Sequence, residues 1–273
     1  MFQADSIIAL PQRPLDAASI APMTEGPVTL GVAEMDAGLD GGLKPDGLHE
    51  TYAATANDAA AGLTFLLLLA ERKRRQGASG HLLWAREAGA PGLPYGPGLV
   101  EMGIDPAAIT LLALPDALSV LRAGLDGLRH GGATVLIELH GRQRLYDLTA
   151  SRRLALAAGT SGAMALVLRS GAPPTPSVAH TRWRIAPAPS AALEANAPGA
   201  PAFALTLLRQ RGGREGLSIT LEWDRDQAIF RRPDFPSIAG VADLAIPLRS
   251  PLFGAVFALA AGRARGGGRP RSG

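Results

Sequence analysis

Residues 39–75 read LDGGLKPDGLHETYAATANDAAAGLTFLLLLAERKRR, and the order of their parts decides the fold. A glycine-rich turn (Gly41, Gly42, Gly47) leads into Leu48–Ala53, a short stretch expected to form a strand. Small and polar residues follow, then a strongly apolar helix that ends in Arg72-Lys73-Arg74-Arg75. This is the strand–loop–helix order of a phosphate-binding loop. In a working loop the glycines let backbone N–H groups approach phosphate and a lysine neutralises it. Here the loop positions are Ala53, Ala54, Thr55, Ala56, Asn57, Asp58, Ala59 and Ala60. The lysine position is Ala59 and the hydroxyl position is Ala60. The chain has two lysines, Lys44 and Lys73, and neither follows a glycine. The scaffold is present without its phosphate chemistry.

Working outward, short apolar segments bounded by turn residues predict further strands at Ile109–Leu114, His81–Arg86, Ala133–Leu139 and Ala163–Arg169. Helices are expected between them at Asp58–Arg75, Gly98–Met102, Asp116–His130 and Thr149–Gly159. In Asp116–His130, Leu118, Leu121, Leu125 and Leu128 recur at helical spacing, with Asp116 as N-cap and Gly131-Gly132 as terminator. Strands alternating with helices predict a parallel sheet with crossover helices. Beyond Ser170 the pattern becomes a run of strands, Arg182–Ile185, Phe203–Arg209 and Leu217–Trp223, read as an antiparallel extension. The expected division is an N-terminal arm over 1–37, a core over 38–225 and a tail over 226–273.

A hydrophobic content of 47% with 19% charged residues supports a folded core. Zero cysteines exclude disulfides and thiolate metal sites and fit a reducing compartment. No apolar run reaches the roughly 18 residues of a membrane helix. The first 25 residues lack a basic start followed by an apolar block, so no secretory signal is expected. The net charge of +3 is uneven: five arginines and no acid follow Asp243, leaving 22 basic against 24 acidic residues before it. Such a body is no general DNA clamp, whereas the tail suits an acidic partner, nucleic acid or plain solvent.

Several blocks together resemble a known family. Leu39–Tyr52, then Tyr95, Leu99 and Met102-Gly103-Ile104-Asp105, then Gly132-Ala133-Thr134-Val135-Leu136-Ile137-Glu138, follow the order of the RecA-type ATPase core. More closely, the chain resembles the ImuA family of RecA-like accessory proteins. The matching features are Gly42-Leu43, Leu48-His49-Glu50, Leu83-Trp84, Leu148–Leu154, Arg182-Trp183-Arg184, Leu207–Arg214 and Leu221–Asp224. The resemblance implies an α/β, RecA-like fold with a degenerate phosphate loop. It also implies a role in SOS-induced, error-prone translesion DNA synthesis beside ImuB, a Y-family polymerase-like protein. An error-prone polymerase III alpha-type subunit would be an indirect partner. The implied location is cytoplasmic, at the nucleoid during DNA damage.

The chemical candidates follow from these positions. Without a lysine or hydroxyl at Ala59 and Ala60, the loop lacks the charge at the β/γ-phosphates and a Mg²⁺ ligand. Hydrolysis and a resident cofactor are therefore not expected. Glu138 stands at the end of the fourth core strand, where such ATPases place an acid that helps to hold Mg²⁺, and Glu87 follows the second, near where they place a water-activating carboxylate; both read here as ordinary strand-end residues. Asp58 reads as a helix N-cap that would repel phosphate. The loops that touch single-stranded DNA in RecA-type proteins correspond to Gly141–Tyr146 and Ser170–Ser177. The first offers Arg142, Arg144 and Tyr146, types that pair with phosphate and stack on bases, but it is short.

Arg152 and Arg153 open a helix whose Leu154 and Leu156 are expected to face the core. Their partner is an internal carboxylate, a phosphate or another chain. Arg209, Arg211 and Arg214 flank a Gly-Gly turn and form either a basic patch or a solvated hairpin tip. The five histidines show no metal-ligand spacing. The apolar segment Leu252–Ala261, with Leu252, Phe253 and Phe257, and the following Arg263 and Arg265 form the expected partner-binding tail. The expected function is a non-catalytic adaptor that binds ImuB. The alternatives are a DNA-stimulated ATPase or recombinase and a SulA-like cell-division inhibitor.

Overall fold

The computed structural model describes residues 26–53, 55–77, 80–92, 95–131, 134–190, 199–213 and 215–233. In chain order the elements are α1 (Ala33–Gly38), β1 (Leu48–Ala53), α2 (Ala56–Arg75), β2 (Leu82–Glu87) and α3 (Gly96–Glu101). A short 3-10 turn (Pro106–Ala108) precedes β3 (Ile109–Leu114), α4 (Ala117–His130), β4 (Thr134–His140), α5 (Leu148–Ser161) and β5 (Met164–Ser170). Four strands close the series: β6 (Thr181–Pro187), β7 (Ala202–Gln210), β8 (Ser218–Asp224) and β9 (Ile229–Arg231). They form one sheet in the order β3-β2-β4-β5-β1-β6-β7-β8-β9. The strands from β3 to β6 in that order run parallel, and β7, β8 and β9 add antiparallel.

Every position of β1 and β5 is buried, the largely apolar β5 by packing alone and β1 with the polar residues His49, Glu50 and Thr51 taken inside as well. On one face lies α2, whose Phe65, Leu66, Leu68 and Leu69 are buried with Leu166, Leu168 and Trp183. Phe65, Phe203, Phe230 and Trp223 extend this core under the antiparallel strands, with Phe65–Phe230 at 5.1 Å and Trp223–Phe230 at 4.9 Å between ring centroids. On the other face α4 and α5 cover Val135, Ile137, Ala165 and Val167. Each fully buried valine, leucine or isoleucine among these stabilises the fold by about 1.5–3 kcal/mol through area removed from water. The basic end of α2 is held by Glu71, which pairs with Arg74 at 2.8 Å and Arg75 at 2.7 Å. Cations there also suit the helix dipole.

Three sequence expectations change. Residues 26–37 are not a loose arm: Val28 bridges Leu43, and Val28, Leu30 and Met35 are buried in the α2-side core. Gly42, at φ 138°, makes this approach possible, because a Cβ there would sit 2.7 Å from the Val28 carbonyl oxygen. Packing also continues past residue 225, where β9 pairs with β8. In α4 the buried stripe is Ala117, Val120, Leu121, Gly124 and Leu128, while Leu118 is exposed. The helix approaches the sheet at Gly124, where a Cβ would lie 2.5 Å from Ile137 Cδ1, and this rotates the buried face away from Leu118. Asp116 does cap α4, accepting from the Ser119 N–H, and Gly131 ends it at φ 69°.

Candidate functional site

Open parallel sheets bind ligands outside the carboxyl ends of their strands. In this chain that edge is occupied by the protein's own polar groups. At the start of α2, Thr55 is the N-cap. Its hydroxyl accepts from the Asp58 N–H at 3.2 Å, and the Asp58 carboxylate accepts from the Thr55 N–H at 3.0 Å. Asp58 is therefore the third helical residue of a capping box and not the cap itself. The signal was legible as Thr55-x-x-Asp58. Two backbone donors that an anion would use at a helix start are thereby satisfied within the chain.

On the same side of the sheet, Glu138 is buried. Trp84 Nε1 donates to its Oε2 at 2.9 Å, and Arg86 Nε lies 3.2 Å from that oxygen as an ion pair. His140 Nε2 lies 2.8 Å from the other oxygen, and His140 Nδ1 lies 2.7 Å from Ser170 Oγ. The Arg86 guanidinium sits over the Trp84 ring at 5.4 Å and donates to the carbonyls of Pro91 and Gly92. Glu138 is thus more than an ordinary strand-end acid: it is the centre of a buried, neutralised cluster. A desolvated carboxylate persists only with such compensation. Strand alternation puts Glu87 on the opposite face, half-buried and with one carboxylate oxygen unpartnered.

A second buried acid, Glu50, organises the α5 side. Arg182 Nε lies 3.1 Å from it, Tyr52 donates at 3.0 Å and Tyr146 donates at 2.5 Å. Burial, and then the Glu50 charge, push both tyrosine hydroxyls above the usual phenol range, Tyr146 well above it. Both therefore stay protonated donors. The Arg169 guanidinium lies 4.8 Å from the Tyr146 ring and 5.8 Å from the Tyr52 ring. The loop after β5 is tied to this cluster: Arg182 donates to Ser177, and the Thr175 N–H donates to the Tyr52 hydroxyl.

Against solved structures, the chain is similar to the RadB recombinase, with a TM-score of 0.50 and 15% identity over 75% of this chain and 99% of that one. That likeness shows a RecA-like α/β fold. No family model matches the sequence. Among curated proteins, it is 32% identical over 192 residues to Protein ImuA of Caulobacter vibrioides, in strains NA1000 and ATCC 19089. The match covers 64% of this chain and 75% of that protein. The chain belongs to the ImuA family.

In this ImuA-family chain the predicted site residues separate into groups. Tyr146 is no stacking platform, because it is 3% exposed and committed to Glu50. Arg142 and Arg144 of the same loop are exposed, as are Arg152 and Arg153. Leu154 is buried as expected, but Leu156 is 73% exposed, since α5 turns it outward beside the arginines. Arg209 and Arg211 are exposed at the β7 turn. Arg214, Leu252, Phe253, Phe257, Arg263 and Arg265 lie outside the described residues, as does Ala54 of the loop.

Sequence reading missed Arg86, His140, Arg169 and the central role of Glu50. Their partners are distant along the chain, Tyr146 being 96 residues from Glu50. Among the described residues, no group of three His, Asp or Glu is placed to hold a metal, and no helix is long and apolar enough to cross a membrane. A cavity of about 1160 Å³ opens at the opposite, amino-terminal ends of the strands, lined by Lys44, His81, Asp105 and His180 among others.

Proposed function

We propose that this ImuA-family protein is a RecA-like adaptor in damage-induced, error-prone translesion DNA synthesis, and that it does not turn over nucleotide. The observation that carries this reading is the filled corner at the start of α2. The capping box uses two of the backbone donors at the helix start, Ala59 and Ala60 stand at the lysine and hydroxyl positions, and Glu138 is committed to Trp84, Arg86 and His140. A phosphoryl-transfer site needs a cation near the β/γ-phosphates, a hydroxyl on Mg²⁺ and a free acid; none of the three is supplied here.

The adaptor role is to bind ImuB through the tail containing Leu252, Phe253, Phe257, Arg263 and Arg265, and to support the error-prone polymerase at the nucleoid. Purified protein with single-stranded DNA and Mg²⁺-ATP is expected to release no phosphate above buffer. Immobilised ImuB is expected to retain the full chain and lose the chain lacking residues 245–273. Retention of the truncated chain would end the tail assignment, and turnover would end the non-catalytic one.

A further inference from the structure

The outward face of α5 carries an unusual pairing of groups. Leu148, Arg152 and Leu156 recur every four residues and so form one stripe along the helix, flanked by Arg153. Leu145 and Arg144 lie in the loop just before it. Leu145, Leu148 and Leu156 are 49%, 38% and 73% exposed. Among the described residues, Arg144, Arg152 and Arg153 form no hydrogen bond or ion pair. No acid lies within α5, and Asp147 before it is spent on capping the Ala150 N–H.

We propose that this face docks an acidic, amphipathic helix of a partner protein, its apolar residues on the leucine stripe and its carboxylates on the arginines. This site is separate from the tail assigned to ImuB. Charge decides the occupant: the chain's own apolar tail segment is followed by arginines without any acid, so it repels this surface. Nucleic acid is the poorer fit. The leucines interrupt the cations, and the one aromatic ring of the preceding loop, Tyr146, is buried and unable to stack on a base. Helix-in-groove recognition uses anchors at the spacing seen here.

The test is fluorescence anisotropy of the full-length protein. One probe is a labelled peptide of about 20 residues, with leucines on one helical face and glutamates on the other, a length able to hold a docked helix. The others are a scrambled peptide of equal composition and an oligo(dT) strand. The patterned peptide is expected to bind, with affinity falling about tenfold in Leu148→Ser/Leu156→Ser and at least as far in Arg152→Glu/Arg153→Glu. All four positions are exposed, and circular dichroism checks the fold of each variant. Equal binding of the scrambled peptide, or none by either peptide, overturns the proposal. So does oligo(dT) binding that falls in the arginine variant and is unmoved in the leucine variant. A photo-cross-linker replacing Leu156 in the purified protein supplies the last arm. Cross-linking to its own chain or to a second copy, undiminished by the patterned peptide, overturns it as well.

Discussion

On the α2 side of the sheet, Arg86 pairs with Glu138, and Arg74 and Arg75 pair with Glu71. On the outer surface of α5 and its preceding loop, Arg142, Arg144, Arg152 and Arg153 engage no partner among the described residues. The two regions use the same residue for opposite ends. Where a RecA-like ATPase would hold nucleotide, Glu138 is answered from within by Trp84, Arg86 and His140. On the outer surface of α5, cations and leucines are left exposed. Function in this chain is therefore expected to have moved from the strand ends to the surface.

Breaking the pairing on the α2 side should give the largest effect. Arg86→Met leaves Glu138 buried without its cation and is expected to lower unfolding stability by about 3–5 kcal/mol, read by urea denaturation. The same change at Arg152 is expected to stay within about 0.5 kcal/mol. Similar losses at both sites would erase the contrast.

A pH profile sharpens it further. His49 is buried, donates its Nε2–H to the Lys44 carbonyl, has Nδ1 2.8 Å from the Thr181 hydroxyl, and is held down to a pKa of about 4, chiefly by burial. His180, beside it, is also lowered, first by burial. The unfolded chain therefore binds protons that the folded chain refuses between pH 6.5 and about 4. Stability is complete above that window and falls as pH drops through it, by about 3 kcal/mol for His49. His49→Gln should flatten this slope in denaturation midpoints taken across the same range; an unchanged slope would place the titration elsewhere.

Smaller effects follow at helix starts. Thr55→Ala removes half of the capping box and should cost about 1 kcal/mol. Arg152→Glu, in the second turn of α5, should be neutral or stabilising by a few tenths of a kcal/mol, because a negative charge suits that end of the dipole. A clear destabilisation there would mean that the arginine has a structural partner.

Much of the core was legible because its strands are short segments bounded by turn residues, mostly apolar, and its helices carry their own signals. The stretch Leu48–Ala53 and the cap at Asp116 needed nothing from elsewhere in the chain. The short α1 was not legible, since six residues, AEMDAG, carry too little periodicity, and Met35 is buried in a core it shares with residues far along the chain, such as Trp183 and Phe230. Leu156 misled for the converse reason: a leucine two residues from a core leucine looks apolar in sequence, yet helical rotation sets it on the far side. The loss of the lysine at Ala59 could be read directly. The internal groups that fill the corner could not, because Trp84, Arg86 and Glu138 meet only when β2 and β4 pair.

The central claim is that this corner no longer accepts nucleotide. Calorimetric titration of the full-length protein with Mg²⁺-ATP, with single-stranded DNA present, tests it most directly. The account predicts no saturable heat and no phosphate in the recovered sample. Saturable heat, with or without phosphate release, would contradict it.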